Sequence, residues 1–188
     1  MAVLSAEQRK QAGEIIARYP EGRERSAMMP LLYLVQSVEG YVSREGMREV
    51  AEILGLHTAE VEAVASFYTM LRRHPPGDHV ISVCTNLSCA LRGANELYAK
   101  TKEELQPDDE GVSAEGRLTV HEEECLGGCD GAPVVQVNFA NYDNMTEKKL
   151  VELIDAVRRG EPPPPSRGST PKDFREASRT LAGLGGGE

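Results

Sequence analysis

The stretches Cys84-Thr-Asn-Leu-Ser-Cys89 and Cys125-Leu-Gly-Gly-Cys129 contain all four cysteines of the chain, and thirty-five residues separate them. Each stretch stands beside a short apolar run of the kind that forms a β-strand. Thiolates bind zinc and the iron of iron–sulfur clusters. The two stretches therefore predict one four-thiolate site, with candidate ligands Cys84, Cys89, Cys125 and Cys129.

The spacing within each pair bears on the choice of metal. Zinc ribbons typically use C-x2-C knuckles, whereas the pairs here are C-x4-C and C-x3-C. A wider pair suits two ligands that reach a larger two-iron core, and C-x4-C is also the first interval of plant-type ferredoxins. The spacing favours one [2Fe–2S] cluster. A zinc-stabilised interaction module is the alternative, and a thioredoxin-type disulfide oxidoreductase is disfavoured because no C-x-x-C pair exists.

The composition predicts a soluble protein that stays in the cytoplasm. The chain has 188 residues, 40% of them hydrophobic, which is enough for a substantial core. Its longest apolar run, residues 28–35, is far shorter than the roughly 20 residues of a membrane span, and the N-terminus lacks the apolar core of a signal peptide. In a reducing compartment the cysteines are expected as free thiols or metal ligands.

The formal charge of −9 is concentrated in residues 76–165, which carry 17 acidic and 8 basic side chains. Such a surface repels phosphate backbones, so we expect no nucleic-acid partner. Residues 47–71 have the outline of a helix-turn-helix. Glu60 and Glu62 nevertheless stand where a DNA-reading helix needs Arg, Lys or Asn.

Residues 1–75 predict a helical bundle, because four stretches repeat apolar residues with the period of a helix. Ser5 and Gln8 form the sequence signature of a capping box at the start of the first stretch. Thr58 is predicted to cap the fourth helix, whose buried face extends from Val61 through Tyr68 to Leu71.

Residues 76–160 predict a thioredoxin-like domain, which follows a Pro- and Gly-containing linker. The pattern reads strand, helix, strand, two-stranded hairpin and helix, the order of a parallel βαβ unit followed by ββα. The first strand ends at Cys84, and the next helix begins near Cys89 and buries Leu91. The fold class is therefore α+β or α/β, a helical bundle followed by a thioredoxin-like [2Fe–2S] ferredoxin domain.

The end of this domain carries more specific expectations. We expect a cis peptide bond at Ala132–Pro133, where thioredoxin-like folds often place one. A hairpin turn is predicted at Asn138–Asn141 with a fourth strand at Tyr142–Met145. Residues 161–188 contain four consecutive prolines and end in glycines. They predict an extended or disordered tail, with an arm laid on a partner as the alternative.

Two features define the expected surroundings of the cysteines. Gly127, Gly128 and Gly131 let the backbone turn tightly and approach a cluster. The start of the helix near Cys89 directs backbone N–H groups and a positive dipole end at the thiolates. The sequence has no Walker A loop, nucleophile elbow or G-x-G-x-x-G motif. We therefore expect no complete active site, and an electron that comes from another subunit.

Six stretches of the chain together match a known family: Met29-Pro-Leu-Leu32, Glu39-Gly40-Tyr41, Val64-Ala-Ser-Phe-Tyr68, Cys84-Thr-Asn-Leu-Ser-Cys89, Glu124-Cys-Leu-Gly-Gly-Cys129 and Ala132-Pro-Val-Val135. Over roughly residues 10–160 the chain resembles the thioredoxin-like [2Fe–2S] subunit of bacterial NADH:quinone oxidoreductase, respiratory complex I, called the E subunit or the 24-kilodalton subunit.

This resemblance implies that Cys84, Cys89, Cys125 and Cys129 are the ligands of one [2Fe–2S] cluster. The chain would be an electron-transfer subunit of an oxidoreductase, exchanging single electrons with the flavin of a partner that binds FMN and NADH. The segment from Val64 to Tyr68 would be a candidate contact surface for that partner.

The resemblance also implies a place for the chain in a larger assembly. Other peripheral-arm subunits would be partners, at the cytoplasmic face of the inner membrane and without direct insertion into it. An equivalent subunit of an NAD-linked hydrogenase or formate dehydrogenase is the alternative, because related subunits serve those enzymes.

Replacing Glu122, Glu123 and Glu124 by glutamine should raise the reduction potential of the expected cluster. A four-thiolate [2Fe–2S] centre has a formal charge of about −2 when oxidised and about −3 when reduced, so nearby anions oppose the incoming electron. Redox titration measures the shift from a low, ferredoxin-range potential. A potential that the substitutions leave unmoved would contradict the electrostatic argument.

Overall fold

The computed structural model describes residues 2–185, which form two compact units. The helical unit comprises residues 2–75 and 174–185, and the sheet unit comprises Pro76–Asp173. The chain passes from the helical unit to the sheet unit between Pro75 and Pro76, within the Pro- and Gly-containing segment. Residues 161–173 of the tail belong to the sheet unit, and residues 174–185 belong to the helical unit. Within residues 2–185, no helix combines the length and apolarity needed to cross a bilayer.

The helical unit begins with four helices, as the pattern predicts. They are α1 (Ala6–Ile16), α2 (Met28–Glu39), α3 (Arg44–Leu54) and α4 (Thr58–Phe67), with a 3₁₀ turn at Glu24–Ala27 before α2. The capping box forms in both directions. The Gln8 N–H donates to Ser5 Oγ at 3.3 Å, and the Ser5 N–H donates to Gln8 Oε1 at 2.7 Å.

The prediction for α4 was wrong at both ends. Its N-cap is His57 rather than Thr58, and the helix ends at Phe67 instead of continuing to residue 71. Tyr68 is extended and 40% exposed, so it does not lie on the buried face of a helix. Leu71 is buried as predicted.

A buried side chain of α2 gives the physical reason for this early end. Gln36 Nε2 donates to the Met70 carbonyl at 3.2 Å, and Gln36 Oε1 accepts from the Arg72 N–H at 2.8 Å. A continuing helix would satisfy such backbone groups internally. Gln36 is fully buried, so its side-chain amide needs hydrogen-bond partners. The backbone after Phe67 leaves the helix and supplies these partners.

The sheet unit contains four strands and three helices. The strands are β1 (His79–Cys84), β2 (Leu118–Glu123), β3 (Val135–Val137) and β4 (Ala140–Tyr142), and the helices are α5 (Leu87–Ala90), α6 (Ala94–Leu105) and α7 (Glu147–Arg158). The strand order is β2-β1-β3-β4. β1 is parallel to β2 and antiparallel to β3, which is antiparallel to β4. This arrangement confirms the predicted βαβ and ββα order.

The core of the sheet unit lies around β1, all six residues of which are buried. Ile81 and Val83 of β1 pack in one apolar cluster with Val135 of β3, Leu97 of α6 and Leu150 of α7. Burying a side chain of this size contributes about 1.5–3 kcal/mol. The packed sheet therefore gives a fixed support for Cys84, the last residue of β1.

The hairpin differs from the prediction, because its second strand starts two residues earlier and ends three residues earlier. Its turn is at Asn138 and Phe139, with φ values of 43° and 74°, so β4 begins at Ala140 and not at Tyr142. Two central residues with positive φ match the twist of antiparallel strands. The Asn138 side chain fixes the turn, because its Oδ1 accepts from the Val80 N–H at 2.8 Å. The predicted cis peptide bond at Ala132–Pro133 is present.

The predicted disorder of residues 161–188 was wrong for its second half, which forms the helix α8 (Phe174–Leu181). Arg175 donates to the carbonyl groups of Val38 at 2.7 Å and Glu39 at 3.0 Å, two of the unpaired acceptors at the end of α2. The Oγ atom of Ser178, itself buried, accepts from Gln36 Nε2 at 3.1 Å. Residues 186–188 lie outside the described residues.

Phe174→Ala should lower the free energy of unfolding of the helical unit by about 3–5 kcal/mol, because the ring is 2% exposed and its removal leaves a cavity. Chemical denaturation followed by circular dichroism measures the change. Leu181→Ala at the other end of α8 is the control, since that side chain is 43% exposed. Equal stability of the Phe174→Ala variant and the wild type would contradict docking of α8.

Candidate metal centre

Cys84 is held at the end of the central strand. Its N–H donates to the Val134 carbonyl at 3.1 Å, and its thiol lies 3.7 Å from the Glu124 carbonyl oxygen as a weak sulfur hydrogen bond. The side chain is buried. The strand end therefore places Cys84 against the residue that immediately precedes Cys125.

Cys89 lies in the short helix α5, five residues after Cys84. The prediction of a long helix starting at Cys89 was wrong, because Gly93, with φ of 90°, separates the four-residue α5 from α6. The Leu87 N–H at the start of α5 is already bound by the Asn86 side chain at 2.7 Å. The expected contribution of a long helix dipole at Cys89 is therefore absent.

Burial raises the pKa of the Cys89 thiol to about 11. A hydrogen bond with the Val134 backbone acts in the opposite direction, and the neighbouring Cys84 and Cys129 raise the pKa further. A thiol with this pKa is neutral at pH 7. Metal binding must displace this proton, which makes assembly of a metal centre more favourable at higher pH.

The second pair of cysteines lies on the loop of residues 125–131, here called the cysteine loop, and both thiols are exposed. The loop ends in a 3₁₀ turn at Cys129–Gly131. Gly127 has φ of 72°, which an L side chain adopts only with strain. A Cβ on Gly128 would lie 2.9 Å from Val134, and one on Gly131 would lie 2.5 Å from Asp143. The three glycines permit this compact path, as the sequence predicts.

Residues on and after β4 hold the cysteine loop in place. Asn141 Nδ2 donates to the Leu126 carbonyl at 3.2 Å, and the Asn144 N–H donates to the Gly131 carbonyl at 2.6 Å. These two bonds lie near opposite ends of the loop. The loop contributes few backbone bonds of its own, so its path depends on these donors.

The structure brings three of the four predicted ligands into electrostatic contact, namely Cys84, Cys89 and Cys129. Cys125 is connected through its neighbour Glu124, whose carbonyl contacts Cys84. Among residues 2–185, no group of three or more His, Cys, Asp or Glu side chains has the arrangement to hold a single metal ion. The four thiols nevertheless supply the donor set of a [2Fe–2S] centre, so their chemistry fits that group.

Arg167 is a component of this site that the sequence does not reveal. Its Nη2 lies 2.7 Å from Asp130 Oδ2, next to Cys129, and its Nε lies 2.8 Å from Asp143 Oδ2. The hydrogen bond from Arg167 is the largest cause that lowers the pKa of the Asp130 carboxyl. Both carboxylates are visible in the sequence, but nothing in the pattern joins residue 167 to the loop.

Leu87 and Leu91 form a second feature that the sequence pattern does not predict. They stand one helical turn apart on either side of Cys89 and are 70% and 79% exposed. The expectation that Leu91 is buried was wrong, because the break at Gly93 keeps it off the buried face of α6. The Leu87/Leu91 patch is therefore an exposed apolar surface next to the buried Cys89, and exposed apolar patches are features of contact surfaces.

Comparison with known proteins identifies the class to which this fold and site belong. The family profile described as thioredoxin-like [2Fe-2S] ferredoxin matches residues 12–158. The chain belongs to the thioredoxin-like [2Fe–2S] ferredoxins.

Individual relatives narrow this class. The E subunit of NADH-quinone oxidoreductase from Mycobacterium tuberculosis is 46% identical over 173 residues, which cover 92% of this chain and 68% of that protein. NADH-quinone oxidoreductase subunit 2 of Thermus thermophilus is 40% identical over 148 residues, which cover 78% of this chain and 82% of that protein. Within its class the chain is a member of the family of NADH-quinone oxidoreductase E subunits, as the resemblance predicts.

A solved structure of an NAD+-reducing [NiFe]-hydrogenase in its H2-reduced state has a TM-score of 0.60 and 21% identity with this chain. The match covers 70% of this chain but only 22% of the hydrogenase chain. An identity this low shows a shared fold and carries no conclusion about activity.

Gly131→Ala should displace the cysteine loop and weaken binding of a metal centre. The added Cβ would lie 2.5 Å from Asp143 Cγ, so either the loop or the Asp143 side chain must move. Loss of such support typically costs about 10–100-fold in metal affinity. Iron and sulfide content after anaerobic reconstitution, and the rate of iron release to a chelator, measure the effect.

Gly13→Ala is the control for this substitution, because a Cβ at Gly13 meets no atom within 4 Å. It should retain wild-type iron content and release rate. Wild-type behaviour of the Gly131→Ala variant would contradict the role assigned to the close packing of the loop.

Proposed function

We propose that the chain is the electron-transfer subunit of an NADH-quinone oxidoreductase and that it binds one [2Fe–2S] cluster. Its ligands are Cys84, Cys89, Cys125 and Cys129. The observation that carries the proposal is the proximity of Cys84, Cys89 and Cys129 at one end of a thioredoxin-like sheet, in a chain 46% identical to a subunit of such a complex. Cys125 directly follows Glu124, whose carbonyl contacts Cys84.

When bound, a [2Fe–2S] cluster supplies reversible one-electron chemistry. The chain prepares for it by providing two kinds of thiol. Cys84 and Cys89 are buried on rigid elements, whereas Cys125 and Cys129 are exposed on the cysteine loop. The buried Cys84 and Cys89 lie on the side of the site that excludes water. The exposed Cys125 and Cys129 lie on the side near the surface.

Acidic side chains around the cysteines affect the reduction potential of the proposed cluster. Glu122, Glu123 and Glu124 lead into Cys125, and Asp130 follows Cys129. Glu122 Oε1 accepts a hydrogen bond from Thr85 Oγ1 at 2.7 Å, which holds a carboxylate close to the segment between Cys84 and Cys89. Negative charge here opposes reduction and supports a low potential.

We further propose that the partner is the subunit that binds FMN and NADH, and that it exchanges single electrons with this chain. Each unit exposes apolar side chains suited to such a contact. In the sheet unit these are Leu87 and Leu91 beside Cys89, and in the helical unit they are Phe67 and Tyr68, which are 76% and 40% exposed. The exposed pair at the end of α4 supports the contact surface expected at residues 64–68.

The proposed assembly places the chain at the cytoplasmic face of a membrane through its partner subunits. An equivalent role in an NAD-linked hydrogenase is the second candidate, supported by the shared fold of the NAD+-reducing [NiFe]-hydrogenase. The relatives at 38–46% identity favour the quinone-linked complex.

Full-length protein purified anaerobically should be reddish brown and bind about two irons and two sulfides per chain. It should give an EPR signal on reduction, because one added electron leaves an unpaired spin on the two-iron centre. A colourless protein that contains zinc would contradict the proposal.

Replacing each of Cys84, Cys89, Cys125 and Cys129 singly by serine should reduce iron binding and change the EPR signal. Ser88→Ala is the matched control within α5, since Ser88 offers no thiolate. Wild-type iron content and spectra in any one cysteine variant would remove that residue from the ligand set.

A further inference from the structure

The tail between α7 and α8 is bound to the outer edge of the sheet. Residues 161–167 are here called the strap. The strap residue Arg167 forms an antiparallel bridge with Asn141 of β4, with Asn141 N–H donating to the Arg167 carbonyl at 3.0 Å and Arg167 N–H donating to the Asn141 carbonyl at 3.1 Å. Tyr142 Oη donates to the Pro163 carbonyl at 2.7 Å.

The strap therefore satisfies an edge strand that also supports the cysteine loop. Ser166 Oγ accepts from the Asp143 N–H at 2.9 Å, directly after β4. Asn141 receives the strap on its backbone while its side chain holds the Leu126 carbonyl. One residue thus connects the strap to the loop.

The side chain of Arg167 makes a second and more direct connection. It bridges Asp130, whose side chain is 76% exposed, and Asp143, whose side chain is 12% exposed. Asp130 belongs to the cysteine loop, and the Asp143 side chain packs against Gly131 of the same loop. The guanidinium group consequently clamps the loop to the residues that follow β4.

The charge of Arg167 is notable because the loop and its flank lack positive charge. Residues 122–130 contain four acidic side chains and no basic one. The positive charge is supplied by Arg167, which lies 37 positions after Asp130 in the sequence. It offsets one of two carboxylates that would otherwise stand together beside Cys129.

We propose that Arg167 is a positioning residue that raises the reduction potential of the cluster and holds the cysteine loop against loss of that cluster. This inference rests on the proposed function, since it concerns the centre held by the four cysteines. A positive charge favours the more negative reduced state, and a charge-assisted bridge restrains the loop on which Cys125 and Cys129 lie.

The test is an EPR-monitored redox titration of the full-length holoprotein, together with the rate of cluster release to an iron chelator. Arg167→Gln should shift the midpoint potential downward and release the cluster faster, by on the order of tenfold. Arg167→Lys keeps the charge but cannot form the two-pronged bridge. It should retain most of the wild-type potential while releasing the cluster faster.

Asp130→Asn separates the effect of charge from a loss of structure. It removes one anion from the loop and also breaks the bridge to Arg167. If Arg167 acts through charge, Asp130→Asn should shift the potential upward, opposite to Arg167→Gln. If it acts only by holding the loop, the two variants should shift the potential in the same direction, which would overturn the electrostatic part of the proposal.

Arg117→Gln is the matched control, because Arg117 is paired with Asp78 at 2.9 Å and is similarly exposed. It lies just before Leu118, which is paired with His79, whereas Cys84 is paired with Glu123 at the other end of these strands. A strand of this length spans about 17 Å, beyond the screening length of about 8 Å at physiological salt. The potential and release rate should match the wild type.

The outcomes distinguish this inference from the proposed function. If the wild-type protein assembles no [2Fe–2S] cluster, the proposed function fails. If the wild type holds the cluster and the Arg167→Gln variant has the same midpoint potential and release rate as the wild type, the proposed function stands and the role of Arg167 is refuted.

Discussion

The candidate site depends on hydrogen bonds from β4 and the turn after it to the cysteine loop. The loop is too irregular to satisfy its own backbone, and exposed thiols at Cys125 and Cys129 add little packing. Asn141 and Asn144 supply donors to the carbonyl groups of Leu126 and Gly131. Because β4 is paired through β3 to the buried strand β1, the rigidity of the sheet is transmitted to the loop.

The same need to satisfy polar groups explains why the tail is ordered. The strap has few apolar residues, so its composition predicts no independent fold. It nevertheless pairs with the outer edge of β4, where the backbone N–H and carbonyl of Asn141 bond to Arg167. In the helical unit, Arg175 binds carbonyl groups at the end of α2, and Ser178 binds the buried Gln36. Hydrogen bonds to specific partners therefore stabilise the tail, although its composition offers little apolar surface to bury. Phe174 makes the main apolar contribution.

The site combines features that serve an electron carrier in different ways. Cys84 and Cys89 are buried on the sheet and α5, whereas the cysteine loop and the Leu87/Leu91 patch face outward. In the proposed [2Fe–2S] site, acidic side chains around the loop disfavour an added electron, and the proposed role of Arg167 is to offset them in part. The balance of these charges can change the reduction potential while the four thiol ligands stay the same.

The sequence by itself determined the helical bundle, the order of strands and helices along residues 76–160 and the four candidate ligands, because apolar periodicity, helix-capping residues and cysteine spacing are local patterns. It did not determine the early end of α4, the exposure of Leu91, the docking of α8 or the position of Arg167. The exposure of Leu91 follows from the break at Gly93. Each of the others depends on a partner distant in sequence, such as Gln36 for the segment after α4 or Asp130 for Arg167. Local patterns specify which groups need partners, and only the tertiary structure decides which residues meet that need.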